Sequence, residues 1–213
     1  MKRLVILMFC FICLVGCAYD SFNGNEKSEF DKTEGETMNH FSCDAVFFGD
    51  SITADGNFDE FFPKLRIVNL GVYGDTLDDL LRRVPEVKAE NPARIFLLGG
   101  INSLRPDNVE DCLNEYAELL DALRAACPEP ALIVQSVLPV GREVDWDGAI
   151  NEAVRRFNAG IKALAEQKGC AFADLYAVYE KNGALDPALT RDGVHLNFNA
   201  YGPWAELITP NMK

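Results

Sequence analysis

A serine stands at position 51, directly after the apolar run 45–48, in the string Gly49-Asp50-Ser51-Ile52-Thr53. A serine hydroxyl is a weak nucleophile at neutral pH until a base removes its proton, so it needs an imidazole within hydrogen-bond reach. The chain has two histidines. His40 lies in a polar stretch without hydrophobic period, which leaves His195, in Asp192-Gly193-Val194-His195-Leu196-Asn197, as the base that a folded domain would offer. A serine–imidazole pair performs acyl transfer if a carboxylate fixes the imidazole tautomer and preorganised donors receive the oxyanion. Two more strings carry polar groups suited to such work: Asn69-Leu70-Gly71-Val72-Tyr73-Gly74-Asp75-Thr76 and Gly99-Gly100-Ile101-Asn102. Singly, each motif is ordinary. Gly-Asp-Ser is commonly a turn, Asp75 or Thr76 reads as a helix cap, and Asn102 could cap a loop. Their occurrence together and in order is what points to a catalytic constellation.

These strings must be carried by something rigid. From Cys43 onward, short apolar runs alternate with longer amphipathic ones, the pattern of βαβ units around a parallel sheet. The expected strands are 45–48, 67–70, 95–98, 132–137 and 171–175. Val109, Cys112, Leu113, Tyr116, Leu119, Leu120 and Leu123 recur at helical spacing, as do Ile150, Ala153, Val154, Phe157, Ile161 and Leu164. Gly169 is expected to end the second helix, and Pro128 and Pro130 to separate the first from the fourth strand. The fold class is therefore α/β, a three-layer α/β/α sandwich with a flavodoxin-like, parallel five-stranded sheet of order 2-1-3-4-5. In that order the loops after the first three strands are neighbours at the carboxyl edge, where such folds place function. The Asp192–His195 string is expected after the fifth strand, which makes four strand-end motifs converging on one crevice.

The four strings together resemble the SGNH, or GDSL-type, serine hydrolases, a family named for Ser, Gly, Asn and His in four blocks. The likeness extends from about Asp44 to Leu207 and includes Gln135-Ser136-Val137-Leu138-Pro139 and Asn199-Ala200-Tyr201-Gly202. It is similar to small members such as platelet-activating-factor acetylhydrolase subunits and bacterial carbohydrate esterases. The resemblance implies Ser51 as nucleophile, His195 as general base and Asp192 as its carboxylate partner. It implies an oxyanion hole made of the backbone N–H groups of Ser51 and Gly74 and the side-chain amide of Asn102, with glycine at 74 allowing close backbone approach. One departure is visible: where many members carry Asp after the third-block Asn, this chain has Ser103, which puts a supporting hydrogen bond in question.

The resemblance implies a serine esterase for short acyl groups, with O-acetyl groups on carbohydrate the leading expectation. Lysophospholipid or thioester hydrolysis and sugar O-acetyl transfer stand behind it, and a degenerate, surface-anchored binding protein is the competitor of another class. Tyr73 and Trp146 are candidates for the substrate wall, although Trp146 between Asp145 and Asp147 also reads as a helix start. No cofactor is expected, because the 49–53 loop is not the glycine-rich phosphate loop of a flavodoxin-like binder. No metal is expected either, since no histidine pair stands at ligand spacing. The formal net charge of −13, without a Lys/Arg cluster, argues against nucleic acid as a partner.

The amino terminus reads separately. Lys2-Arg3 precede an apolar run from Leu4 to Gly16 that is shorter than the roughly 20 residues of a membrane span. Its end, Leu14-Val15-Gly16-Cys17, resembles a bacterial lipobox. The expected organisation is a lipoprotein signal over 1–16, lipidated Cys17 with a flexible tether over 17–40, and a hydrolase domain over 41–213. The protein would then be held in the bacterial envelope, outside the cytoplasm, with the lipid as its one membrane attachment. Removing residues 1–16 takes away Lys2 and Arg3 and no acid, moving the formal charge from −13 to −15. Of seven cysteines, Cys43, Cys112, Cys127 and Cys170 fall in the domain. A Cys112–Cys127 bridge is excluded if both lie on one helix, about 22 Å apart. A Cys127–Cys170 bridge and free buried thiols remain the alternatives.

Overall fold

The computed structural model describes residues 41–213; the expected signal over 1–16, Cys17, the expected tether and His40 lie outside the described residues. Five parallel strands, β1 (Ala45–Gly49), β2 (Ile67–Gly71), β3 (Arg94–Leu98), β4 (Ala131–Gln135) and β5 (Ala171–Ala173), form a sheet of order β2-β1-β3-β4-β5. The three-layer α/β/α arrangement follows from the side chains of the central strands, which alternate between two cores. Val46, Phe48, Ile95, Leu97, Leu132 and Val134 pack into one, and Ala45, Phe47, Phe96, Leu98 and Ile133 into the other. Strands buried on both faces read as continuous apolar runs, which is why β1 and β3 were conspicuous in the sequence.

Three long helices, α3 (Leu77–Glu90), α4 (Val109–Ala126) and α5 (Ala149–Gln167), supply apolar faces to the first core. The second core is closed by shorter pieces: α1 (Ser51–Ala54), α2 (Phe58–Phe61), α6 (Leu175–Tyr179) and α7 (Tyr201–Ile208). Aromatic contacts dominate there, with Phe47 stacked between Phe58 at 3.7 Å and Phe96 at 4.8 Å, and Trp204 edge-on to Phe58. Each such buried ring contributes on the order of 2–3 kcal/mol of transfer free energy. Two buried hydroxyls tie this layer together. Tyr179 donates to Ala200 O at 2.8 Å and Tyr201 to Ile52 O at 2.7 Å, the latter anchoring α1 from below.

Three expectations are corrected. The fourth strand stops at Gln135 rather than Val137, because two buried asparagines of α5 take over the backbone pairing. Asn158 accepts from Val137 N and donates to Val137 O, both at 2.8 Å, and Asn151 does the same for Val140 at 2.9 Å. The fifth strand stops at Ala173, because Asp174 accepts from Ala177 N and starts α6. The Asp192–His195 string consequently does not stand at the end of a strand of the five-stranded sheet. Between β5 and that string come α6 and a small hairpin, β6 (Glu180–Lys181) with β7 (Ala184–Leu185). Gly169 ends α5 as expected, at φ +64. Of the two cysteine alternatives, the four thiols are free, three of them buried.

Candidate active site

Ser51 opens α1 at the carboxyl end of β1. Asp50 caps that helix, its Oδ1 accepting from Ile52 N at 3.0 Å. The tight passage from strand to helix requires glycine at two places. A Cβ on Gly49 would lie 2.3 Å from Leu98 O, and one on Gly71 would lie 2.2 Å from Ala54 N. The amide of Asn69 then pins the far end of α1, donating to Thr53 O at 2.8 Å and Gly56 O at 2.9 Å while its oxygen accepts from Gly71 N. Ser51 is thus fixed, 6% exposed, at the mouth of the carboxyl edge.

His195 meets it from the 190–196 loop, Nε2 lying 2.9 Å from Ser51 Oγ. Its Nδ1 lies 2.7 Å from Asp192 Oδ2. A carboxylate can only accept, so Nδ1 carries the proton and, in the neutral ring, Nε2 is left to accept from the serine hydroxyl. The loop is shaped for this. Asp192 Oδ1 accepts from Val194 N at 3.0 Å and His195 N at 2.7 Å, Thr190 Oγ1 donates to His195 O at 2.7 Å, and Gly193 turns at φ +84. Gly193 O also accepts from Gly141 N at 2.6 Å, sewing the loop to residues 141–148.

The two carboxyls beside this pair behave oppositely. Partial burial disfavours charge on Asp192, but hydrogen bonds from His195 N–H, the imidazole and Val194 N–H outweigh it and bring its pKa to about 2. It is a carboxylate at neutral pH. Asp50 is wholly buried, and desolvation lifts it to about 7 despite the Ile52 N–H bond and the nearby His195 charge. Its Oδ2 has no partner.

Asn102 follows β3, its Nδ2 donating to Asp75 O at 2.9 Å. That bond uses one of two amide hydrogens and fixes the plane in which the other points. Gly74 adopts φ +83, and a Cβ there would meet nothing within 4 Å. The positive φ is a conformation that favours glycine, and the open space at that position leaves the backbone accessible. Asp75 is buried and ion-paired with Arg83 of α3, whose guanidinium also donates to Leu70 O at 3.0 Å. Thr76, not Asp75, caps α3, in a reciprocal capping box with Asp79. Ser103, the departure from the family pattern, accepts from Leu77 N at 2.9 Å and so serves the start of α3.

Ser51, His195 and Asp192 are thus joined in one hydrogen-bonded chain, and Asn102 is bonded to the residue after Gly74. Tyr73 is 62% exposed with its ring 6.3 Å from the His195 ring. Trp146 is 85% exposed and among the described residues makes no bond or ring contact with this chain. Its neighbour Asp145 is buried and caps α5, accepting from Ile150 N at 3.0 Å and Asn151 N at 2.7 Å. Sequence reasoning missed Asn69 as a brace, Arg83 as the partner of Asp75, and Asp55. None of these partners is a neighbour along the chain, Asn69 lying 16 positions from Thr53, Arg83 eight from Asp75 and Asp55 136 from Arg191, although the one acceptor oxygen and two donor hydrogens of an Asn amide at a strand end are the kind of signal that suggests the first.

The GDSL-like lipase/acylhydrolase family model matches residues 47–202. A multidomain esterase of Ruminococcus flavefaciens is 26% identical over 134 residues, covering 60% of this chain; the chain spans 17% of that relative's length. A GDSL-like lipase of Bacteroides thetaiotaomicron is similar in structure, with a TM-score of 0.66 and 25% identity over 80% of this chain and 88% of that one. A variant of an acetyl-xylooligosaccharide esterase from Geobacillus stearmophilus shares the fold, with a TM-score of 0.62 and 21% identity over 80% and 94% of the two chains.

Proposed function

We propose that this chain, which belongs to the GDSL-like lipase/acylhydrolase family, hydrolyses carboxylic esters with small acyl groups through an acyl-enzyme on Ser51. The observation that carries the reading is the continuous relay Ser51 Oγ–His195 Nε2–Nδ1–Asp192, with both contacts under 3 Å. As Ser51 attacks the ester carbonyl, its proton passes to His195 Nε2, and Asp192 stabilises the imidazolium. The tetrahedral oxyanion takes hydrogen bonds from Ser51 N–H, Gly74 N–H and Asn102 Nδ2. His195 then protonates the departing alcohol oxygen. In the second half, it removes a proton from water, and the carboxylic acid leaves as Ser51 recovers its hydrogen.

O-acetylated carbohydrate is the proposed substrate. Two features support it: the fold shared with an acetyl-xylooligosaccharide esterase, and exposed aromatic rings, Tyr73 on the Gly74 loop and Trp146 on the loop that packs against Gly193. Aromatic faces present a large, rigid apolar surface to the C–H face of a sugar ring. Nitrophenyl esters of increasing acyl length test the acyl class, and acetate release from acetylated xylan tests the sugar. Acetyl should be preferred, and a rise in kcat/KM up to octanoyl would favour a lipid ester instead. We further propose that residues 1–16 are a lipoprotein signal and that Cys17 carries the lipid, holding the domain at the bacterial envelope.

A further inference from the structure

Asp55 lies one turn beyond the nucleophile, at the carboxyl end of α1, with its side chain largely shielded. Its two oxygens are divided between two loops. Oδ1 accepts from the Tyr73 hydroxyl, and Oδ2 accepts from Arg191 Nη2 at 2.6 Å. The Arg191 guanidinium in turn places Nε 3.9 Å from Asp192 Oδ2, the oxygen that holds His195 Nδ1. One carboxylate therefore ties together α1, which bears the proposed nucleophile, the Tyr73–Gly74 loop and the histidine loop.

We propose that Asp55 is a positioning residue that holds Arg191 and, by neutralising it, sets the charge felt by the His195–Asp192 pair. This rests on the serine-hydrolase reading of the site. Arg191 alone beside Asp192 would compete with the imidazolium for the same carboxylate oxygen. With Asp55 opposite, the cation is directed away and largely cancelled, so Asp192 remains committed to His195. The Tyr73 bond gives the same carboxylate a hold on the loop that carries Gly74, so register between base and oxyanion donor passes through one side chain. Other charged or titratable groups around the site come from other elements: Asp50 at the start of α1, which feels the His195 charge, Asp75, which feels Asp50, Glu143, whose carboxylate would collide with a Cβ at Gly193, and the buried Tyr201 hydroxyl, which feels both Asp55 and Arg191. None of these is hydrogen-bonded to Arg191 among the described residues, so the Asp55–Arg191 pair is separable by mutation.

The sign of each substitution follows from charge. Asp55→Asn keeps the shape and an acceptor but removes a negative charge and frees the cation, so the imidazolium is disfavoured. Arg191→Gln does the reverse. The experiment follows the His195 imidazole by NMR against pH in the purified protein, the signal being identified by its loss in His195→Gln, alongside the acidic limb of kcat/KM on nitrophenyl acetate. The titration midpoint should move to lower pH in Asp55→Asn and to higher pH in Arg191→Gln, each by roughly half a pH unit. It should return near the wild-type position in the double variant, and Arg191→Lys, which keeps the charge, should stay there. A purely structural role would not give opposite shifts that cancel. Coincident midpoints, or shifts of the same sign, would overturn the proposal. If Asp55→Asn fails to fold, the Arg191→Gln and Arg191→Lys pair decides it alone. The NMR reading does not require turnover: absence of esterase activity with the predicted shifts refutes the serine-hydrolase reading and leaves the linkage standing. Normal activity with unmoved midpoints refutes the linkage alone.

Discussion

At the scale of single residues, the proposed mechanism divides the site into groups that exchange protons, groups that receive charge, and one carboxyl whose proton burial holds up to about pH 7. Asn102 belongs to the second kind. In the proposed mechanism its amide meets a charge that exists only in the tetrahedral state, so Asn102→Ala should lower kcat by about a hundredfold or more while KM changes little, which steady-state kinetics on nitrophenyl acetate tests. Asp50 is the third kind, and its consequence is for stability. Its folded-state pKa is raised to about 7 from 3.8, so the folded state binds its proton more tightly than the unfolded chain does. That contribution is complete below pH 4 and is lost as pH rises through about 7. Replacing it by Asn should remove this slope: between pH 4 and 8 the wild type should lose stability relative to Asp50→Asn, by up to about 4 kcal/mol. Urea denaturation at several pH values measures it, and parallel pH dependence in the two proteins would contradict the burial argument. Ser51 and His195 could be recognised from residue type, since few side chains can serve as nucleophile or base. Asp55 could not, because its bond to Arg191 spans 136 positions and neither residue is unusual in its local sequence.

At the scale of elements, legibility followed burial and length. The runs at β1 and β3 are buried on both faces, and α4 and α5 are long enough for their period to stand out from noise. Helix α7 has eight residues, too short for a period, and its burial depends on partners such as Gln135, which accepts from Trp204 Nε1 at 2.7 Å. The stretch after Gln135 reads as strand because apolar sequence reports burial and not which groups satisfy the backbone. Here side chains do so, and Asn158 is the clearest case. Asn158→Leu would strand the buried N–H and C=O of Val137, at a cost of about 2–4 kcal/mol. The urea midpoint should fall accordingly, while kcat of the folded protein changes little, because Asn158 touches none of the proposed catalytic groups. A loss below 0.5 kcal/mol would mean that the 137–140 segment finds other partners.

At the scale of the whole molecule, the arrangement is a rigid sheet edge that collects short loops. Order β2-β1-β3-β4-β5 puts the ends of β2 and β3 on either side of β1, so Gly74, Ser51 and Asn102 come from adjacent positions. This much was legible, because strand order follows from the doubly wound pattern; the histidine loop, delivered by α6 and the β6–β7 hairpin, was not. The charge of −13 belongs to this scale too. Cationic esters should be favoured over anionic ones of equal size, and the preference should shrink as salt rises from 20 to 500 mM, roughly through the Debye screening range. For the envelope reading, Cys17→Ser should leave the protein without incorporated lipid and release it from the membrane fraction; unchanged sedimentation together with no lipid in the wild type would contradict it. The central claim is tested most directly by mass spectrometry of the intact protein and its peptides after exposure to a fluorophosphonate. The account predicts a single covalent adduct, on Ser51, that is absent from Ser51→Ala and strongly slowed in His195→Ala. No adduct on the wild type, or an adduct at another residue that persists in Ser51→Ala together with ester turnover, would contradict it.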